Sequence, residues 1–246
     1  MLVLLTNDDG IKAEGLIALK KEISRIAEVW VVAPEGEQSA ISHSLTLHRP
    51  LEVKKISTKT FSINGTPSDA VIVGVLGILK KKPNLLISGI NHGPNLGEDV
   101  TYSGTVAGAM EGALMGIPSI AVSVSDLGSS YFAKAARFIR KLALFISKKG
   151  LPKDTLLNVN IPAKRGKLEG YEITKLGKKM KREVELKNVN SRGKSFWRIG
   201  KENTRWVIAS GTDCSAVEKG KVSITPLHLD LTDHKEIDRI KKWKSI

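Results

Sequence analysis

Apolar residues fall along this chain in two rhythms. Leu2 to Leu5 form a short continuous run, and so do "VWVVAP" (29–34), "NLLISG" (84–89), "SIAVSV" (119–124) and "LLNVNIP" (156–162). Short runs without polar alternation are the mark of strands covered on both faces. Between the runs the period changes. Leu16, Leu19, Ile23 and Ile26 recur at spacings of three and four, which is one face of a helix. "DAVIVGVLGILKK" (69–81) reads as a helix, "GTVAGAMEGALMG" (104–116) as a helix of small residues. "YFAKAARFIRKLALFI" (131–146) reads as an amphipathic helix with Phe132, Ala136, Ile139 and Leu142 or Ala143 on one side. Strands alternating with helices predict an α/β fold, a mostly parallel sheet with helices on both faces.

After about residue 165 the pattern changes. "KLGKKMKREVELKNVNSRGKSFWRIG" is basic, with strand-like pieces and glycine turns. "KVSITPLHLDLT" (221–232) reads as a strand and "DHKEIDRIKKWKSI" as a short C-terminal helix. The apolar content there is too thin for a separate core. The organisation expected is a catalytic core over 1–165, then 166–246 as a basic β-hairpin arm, a returning strand and a helix, all within one structural domain.

Charge sharpens this division. The net charge is +14, yet residues 1–130 hold 11 Lys/Arg against 13 Asp/Glu, so the whole excess lies in the second half. Such an excess suits nucleic acid, an anionic substrate or a solvated basic face. Cys214 is the only cysteine, which excludes an intrachain disulfide and a Cys-based zinc site and suits a reducing interior. The N-terminal run is too short for a signal-peptide core, and no apolar run reaches the roughly 20 residues of a membrane span. The expectation is a cytoplasmic protein with no membrane partner.

Candidate chemistry gathers where parallel strands end. Asn7, Asp8, Asp9 and Gly10 follow the first strand, "APEGEQSAISHS" (33–44) with Ser39 and Ser42 the second, and "SGINHGPNLGEDVTYSGT" (88–105) with Asn91 and Asn95 the third. Two adjacent carboxylates repel each other, and a hard cation held by them and by neutral oxygens removes that repulsion. Mg²⁺ or Mn²⁺ fits such a donor set. A helix-capping turn uses the same residue types, so the dipeptide alone leaves both open. "GINHGPNLG" has glycines that let backbone N–H groups face an anion, without the Gly-Lys-Ser/Thr ending of a Walker A loop. Ser103, Gly104 and Thr105 stand where a helix N-terminus meets a phosphate, or where a plain N-cap sits. Asp69 in "NGTPSD" is open between a structural and a functional role. His43, His48 and His92 form no metal-like pair and Cys214 has no paired histidine signature, so none is assigned. Trp197, Trp206 and Trp243 suit base stacking or, better, packing between arm and partner.

"LLTNDDG", "VVAPEGEQSA", "GTPSD", "ISGINHGPNLGEDVTYSGTVAGAMEG" and "SITPL" together resemble the survival protein SurE family, the 5'/3'-nucleotidases, over nearly the whole chain. The resemblance implies a Rossmann-like metal-dependent phosphatase that hydrolyses nucleoside 5'- and 3'-monophosphates, with short polyphosphate as a further substrate of some members. It implies one divalent ion per subunit held by Asp8, Asp9, Ser39 and Asn91, and phosphate contacts from Asn95, Ser103, Gly104 and Thr105. It also implies a homodimer or homotetramer built by C-terminal exchange and a protruding hairpin. Ala70 departs from the family, which often has Cys there, at a position that is not a ligand. The expected mechanism is attack of a metal-activated water on phosphorus, with Asp8 and Asp9 as catalytic residues. Adjacent acids differ from the Asp-x-Asp of phosphoaspartyl enzymes, which favours water as the nucleophile. A nucleic-acid-binding protein using the basic half is the rival reading. A dehydrogenase-like dinucleotide binder is disfavoured, since Gly-x-Gly-x-x-Gly is missing from the first turn.

Overall fold

The computed structural model describes residues 1–125, 131–163, 168–181, 184–191, 194–202 and 205–243. In chain order the elements are β1 (Leu2–Thr6), α1 (Glu14–Ile23), β2 (Glu28–Pro34), β3 (Val53–Ser57), β4 (Thr60–Ile63), α2 (Pro67–Ile72) and β5 (Leu85–His92). There follow α3 (Gly104–Leu114), β6 (Ser119–Val124), α4 (Phe132–Lys149), β7 (Thr155–Ile161), β8 (Tyr171–Ile173) and β9 (Lys179–Lys181). The chain ends with β10 (Val184–Ser191), β11 (Lys194–Glu202), β12 (Arg205–Trp206), α5 (Asp213–Glu218), β13 (Val222–His228) and α6 (His234–Ile240).

Nine strands form the main sheet in the order β3-β4-β2-β1-β5-β6-β7-β13-β8. From β4 through β7 every pairing is parallel, while β3 on β4 and β13 on β7 are antiparallel. The chain runs from β1 to β2 and β4 on one side, then crosses back to β5 on the other. That reversal opens a crevice at the carboxyl ends of β1, β2 and β5, where open α/β sheets bind ligands. The expected α/β fold is observed, with helices on both faces.

Side-chain alternation along β1 shows how the two faces fill. Val3 and Leu5 enter a core with Leu16, Leu19 and Ile23 of α1 and Phe132, Ala136, Ile139 and Ala143 of α4. Leu2 and Leu4 enter a second core with Ala70 and Val71 of α2 and Val106, Ala109 and Ala113 of α3. The face expected for the amphipathic helix is therefore the buried one, with Ala143 rather than Leu142 fully inside.

Three details differ from the expectation. The helix expected over 69–81 begins at Pro67 under a Thr66–Asp69 capping box and widens into a π-helix over Val73–Leu79. Its run of β-branched Val71, Ile72, Val73 and Val75 is poorly suited to a tight helix. The edge strand β3 carries no clear apolar signal, since all five of its residues are exposed, and the short β4 between it and β2 was not expected either. β5 runs on past Gly89 to His92, with a register irregularity between Ser88 and Asn91, after which Asn91 and His92 pair with Ser123 and Val124 of β6.

In the basic region β10 and β11 pair antiparallel, and β9 pairs with β12 in a second small sheet. β8 and β13 return to the main sheet. Among the described residues no helix is long and apolar enough to cross a membrane.

Gly15 is where α1 touches β5. A Cβ there would lie 2.0 Å from the Ile90 carbonyl oxygen, a backbone atom that cannot rotate away. We expect Gly15→Ala to cost about 3 kcal/mol in urea unfolding, the upper range of overpacking. An unchanged midpoint would show that the helix–strand contact tolerates a side chain.

Candidate active site

β1 ends at Thr6, and the turn after it is held by Asn7, whose Nδ2 donates to the Gly10 carbonyl at 2.9 Å. Gly10 has a φ of +98°, and a Cβ on it would meet the Gly36 backbone at 3.0 Å. The glycine thus lets the β1 loop and the β2 loop touch. The Gln38 N–H donates to the Asp8 carbonyl at 2.7 Å and joins them again. α1 begins only at Glu14, and its N-cap, Ala13, makes no side-chain bond. Asp8 and Asp9 therefore do not cap a helix, and the capping alternative falls.

The loops after β1, β2 and β5 close around one cavity of about 380 Å³. Asp8, Asp9, Ser39, Asn91, Asn95 and Ser103 line it, six of the eight residues expected at the site. Thr105 lies just behind, fully buried, and its hydroxyl donates to Asp8 Oδ1. Gly104 packs under Asp8: a Cβ there would stand 2.9 Å from Asp8 Cβ and 3.0 Å from its Oδ2. These two residues support the carboxylate and do not line the cavity. Ser103 caps α3, accepting the Val106 N–H at 3.1 Å, and also lines the cavity, so the capping and the site positions coincide.

The two carboxylates stand in unlike surroundings. Asp8 is 6% exposed, and burial raises its pKa from 3.8 to about 6, helped by repulsion from Asp9 and opposed by the Thr105 hydroxyl. Asp9 is raised too, first by burial and then by Glu37, against the lowering effect of the His92 N–H, which donates to its Oδ2 at 3.3 Å. Removing water from adjacent like charges favours whatever restores positive charge between them, a proton or a cation.

The donor set fits a hard divalent cation. Asn91 Nδ2 donates to the Gly93 carbonyl at 2.9 Å, which leaves its Oδ1 as the free acceptor. Ser39 Oγ donates to Glu37 Oε1 at 2.5 Å, leaving its lone pairs uncommitted. Two carboxylates, an amide oxygen and a hydroxyl suit Mg²⁺ or Mn²⁺. Among the described residues no group of three His, Cys, Asp or Glu side chains forms a softer site.

Sequence reasoning overlooked Glu37, Asp99 and Tyr102, which also line the cavity. Their signal was weak, because an acid or tyrosine in a polar loop has no periodicity. His92 lines the cavity with its ring edge-on to Phe132 at 4.6 Å. His43 pairs with Glu111 at 2.9 Å outside it. Asp69 is structural, accepting the Thr66 and Thr46 N–H groups. Cys214 is buried, and burial with Asp213 beside it pushes its thiol well above the usual range. Trp206 touches Gly97, whereas Trp197 and Trp243 are exposed.

A family model described as survival protein SurE matches residues 3–183. The 5'-nucleotidase SurE of Geotalea uraniireducens is 47% identical over 245 residues, covering 99% of both chains. The 5'-nucleotidase SurE of Citrifermentans bemidjiense is 48% identical over 246 residues with the same coverage. Among solved structures, the SurE protein from Aquifex aeolicus superposes with a TM-score of 0.88 at 44% identity, with 98% of each chain covered.

The raised pKa of Asp8 gives a pH signature in metal-free protein. Folding favours its protonated form, so its contribution is full below about pH 4 and is lost as pH rises through about 6. The loss is on the order of 3 kcal/mol. Urea unfolding in chelator should show that decline in the parent and a shallower one in Asp8→Asn, where Asp9 still contributes, at the same pH values. Parallel curves would remove Asp8 as a desolvated charge.

Proposed function

Because the chain belongs to the survival protein SurE family, we propose that it is a nucleotidase that hydrolyses nucleoside 5'- and 3'-monophosphates with the help of one divalent cation. The observation that carries this reading is the convergence of Asp8 and Asp9 from the β1 loop, Ser39 from the β2 loop and Asn91 from the end of β5 on one cavity, which Ser103 at the head of α3 also lines. The four would hold the cation, Mg²⁺ or Mn²⁺. Bound there, it supplies a counter-charge to the phosphoryl group and lowers the pKa of water.

The chain's own groups divide the remaining work. Ser103 and the N–H groups heading α3 offer partial positive charge to the phosphoryl oxygens. The Asn95 side chain extends that wall, buried and tied through Nδ2 to Ser123 Oγ at 2.8 Å. Thr105 and Gly104 act one layer back, by fixing Asp8. Asp9 Oδ2 accepts the His92 N–H at 3.3 Å, which orients its carboxylate, and Asp8 or Asp9 takes the proton of the attacking water. The products are a nucleoside and inorganic phosphate. Water is the nucleophile, so no phosphate should be trapped on either aspartate.

A homodimer or homotetramer joined through the C-terminal region belongs to the same reading. α6 buries none of its residues, and Leu231 leading into it is 91% exposed, as suits an element that packs on a second copy. Light scattering should give a multimer for the full chain and a smaller species for a chain ending after Leu229; one mass for both would exclude this mode.

Phosphate release from a panel of 5'- and 3'-monophosphates and tripolyphosphate, with Mg²⁺, Mn²⁺ or chelator, tests the activity. We expect turnover of the monophosphates that chelator abolishes and that Asp8→Asn and Asp9→Asn each lower at least about 1,000-fold, the several kcal/mol a cation supplies. Full turnover in Asp8→Asn would refute the site. Tight, steeply salt-dependent nucleic-acid binding with no phosphate release would favour the rival reading.

A further inference from the structure

The wall of the cavity that carries Asn95 is a loop, Gly93 to Leu96, with no strand or helix of its own, and it runs into a short 3₁₀ helix over Gly97–Thr101. Its polar backbone groups are nevertheless taken up by side chains far away in sequence. The Asn95 N–H donates to Asn160 Oδ1 at 2.8 Å. The Asn95 carbonyl accepts from Asn158 Nδ2 at 2.8 Å and from Asn160 Nδ2 at 3.0 Å. The Gly97 N–H donates to Asp213 Oδ2 at 2.8 Å, while Asp213 Oδ1 accepts the Gly177 and Cys214 N–H groups at 2.7 and 2.8 Å. Asn158, Asn160 and Asp213 are all fully buried.

Such burial is costly unless the groups are bonded. A strand whose other inward positions are apolar, β7, spends two alternate positions on asparagine, and a buried acid, Asp213, opens α5. Asn160 grips both the N–H and the carbonyl of one residue, which fixes the peptide planes on either side of Asn95. Asp213 fixes the next turn two residues on. The geometry points to Asn158, Asn160 and Asp213 as positioning residues that hold the Asn95–Gly97 loop in the conformation that receives the anionic group of the substrate. The inference rests on the nucleotidase reading for what is received there. It adds that the β7 asparagines and the C-terminal half build that wall.

Three measurements test it. In the intact parent protein, the Asn95 and Gly97 amides should exchange with deuterium as slowly as strand amides; exchange at the rate of open loop amides would overturn the proposal without any variant. Asn160→Ala removes the two-sided grip. Asp213→Asn keeps the shape but turns an amide towards either the Gly97 or the Gly177 N–H. For each, with Mn²⁺ loaded, we expect inorganic phosphate to bind at least 10-fold more weakly and kcat/KM to fall by about 100-fold, as for a loop misplaced by an ångström. Mn²⁺ affinity, read by electron paramagnetic resonance, should stay within about threefold, because Asp8 and Asp9 are untouched by these bonds. Phosphate affinity equal to the parent's in either folded variant overturns the proposal. So does a parallel loss of Mn²⁺ and phosphate affinity, which marks a general structural role. A parent that neither binds phosphate nor releases it from nucleotides would instead defeat the nucleotidase reading, leaving the exchange result to decide the clamp.

Discussion

Two like charges on adjacent residues, at the end of a buried strand, are the constraint around which the rest is arranged. Asp8 and Asp9 follow β1, the strand where the chain reverses direction across the sheet. Asp8 is largely cut off from solvent, because Thr105, Gly104 and the β2 loop close over it, while Asp9 beside it is half-buried. A fold that only needed stability would place an apolar residue or a capped turn here. Instead the cost of desolvation is kept, and the neighbouring loops present oxygen donors towards the same space. In the proposed reading, that retained cost becomes affinity for a cation, since binding it removes the repulsion that folding left in place.

Local geometry is consistent with the cavity having priority over ideal structure. Ala40 and Ser42 follow Ser39 with positive φ values of 55°, a conformation costly for residues with a side chain. The β5 strand loses its regular register before Asn91. Gly10 and Gly104 occur where neighbouring backbone or a carboxylate leaves no room for a Cβ. These departures lie in the loops and element ends around the cavity, while the two cores beneath it are built from ordinary aliphatic packing.

What could be read from the chain beforehand follows from these two regimes. The strands and helices of the core were legible because burial on two faces leaves a periodic signal, in β1 as in α4. The loops at the sheet edge were legible as polar residues in places where a parallel sheet binds ligands, and the family resemblance named most of them. β3 was not legible, because an exposed edge strand of Val-Lys-Lys-Ile-Ser differs little from a loop. The π-helical turn after Ile72 was hidden for a related reason, since its composition fits any helix. Glu37, Asp99 and Tyr102 depend on how a loop folds back, which no spacing encodes. Asn158 and Asn160 did carry a signal: two amides at alternate positions of an otherwise apolar strand are an anomaly that asks for buried partners.

The contrast between the halves of the chain takes on a different meaning once those partners are known. By charge, the second half looks like a basic appendage to an acidic catalytic unit. By hydrogen bonding it is part of the site's wall. Asp213 reaches the Gly97 N–H from α5, Gly177 and Trp206 press against Gly97, and Asn158 and Asn160 enclose Asn95 from the last parallel strand. The loop they hold has no regular structure before the 3₁₀ helix that begins at Gly97, so its order comes from groups more than sixty residues distant. Preorganisation of this kind is established by folding and not at the moment of binding, which is the condition under which a donor wall can favour one charge distribution over another. The basic half of the chain therefore matters to the site less through its charge than through four buried polar bonds to a loop that could not keep its shape alone.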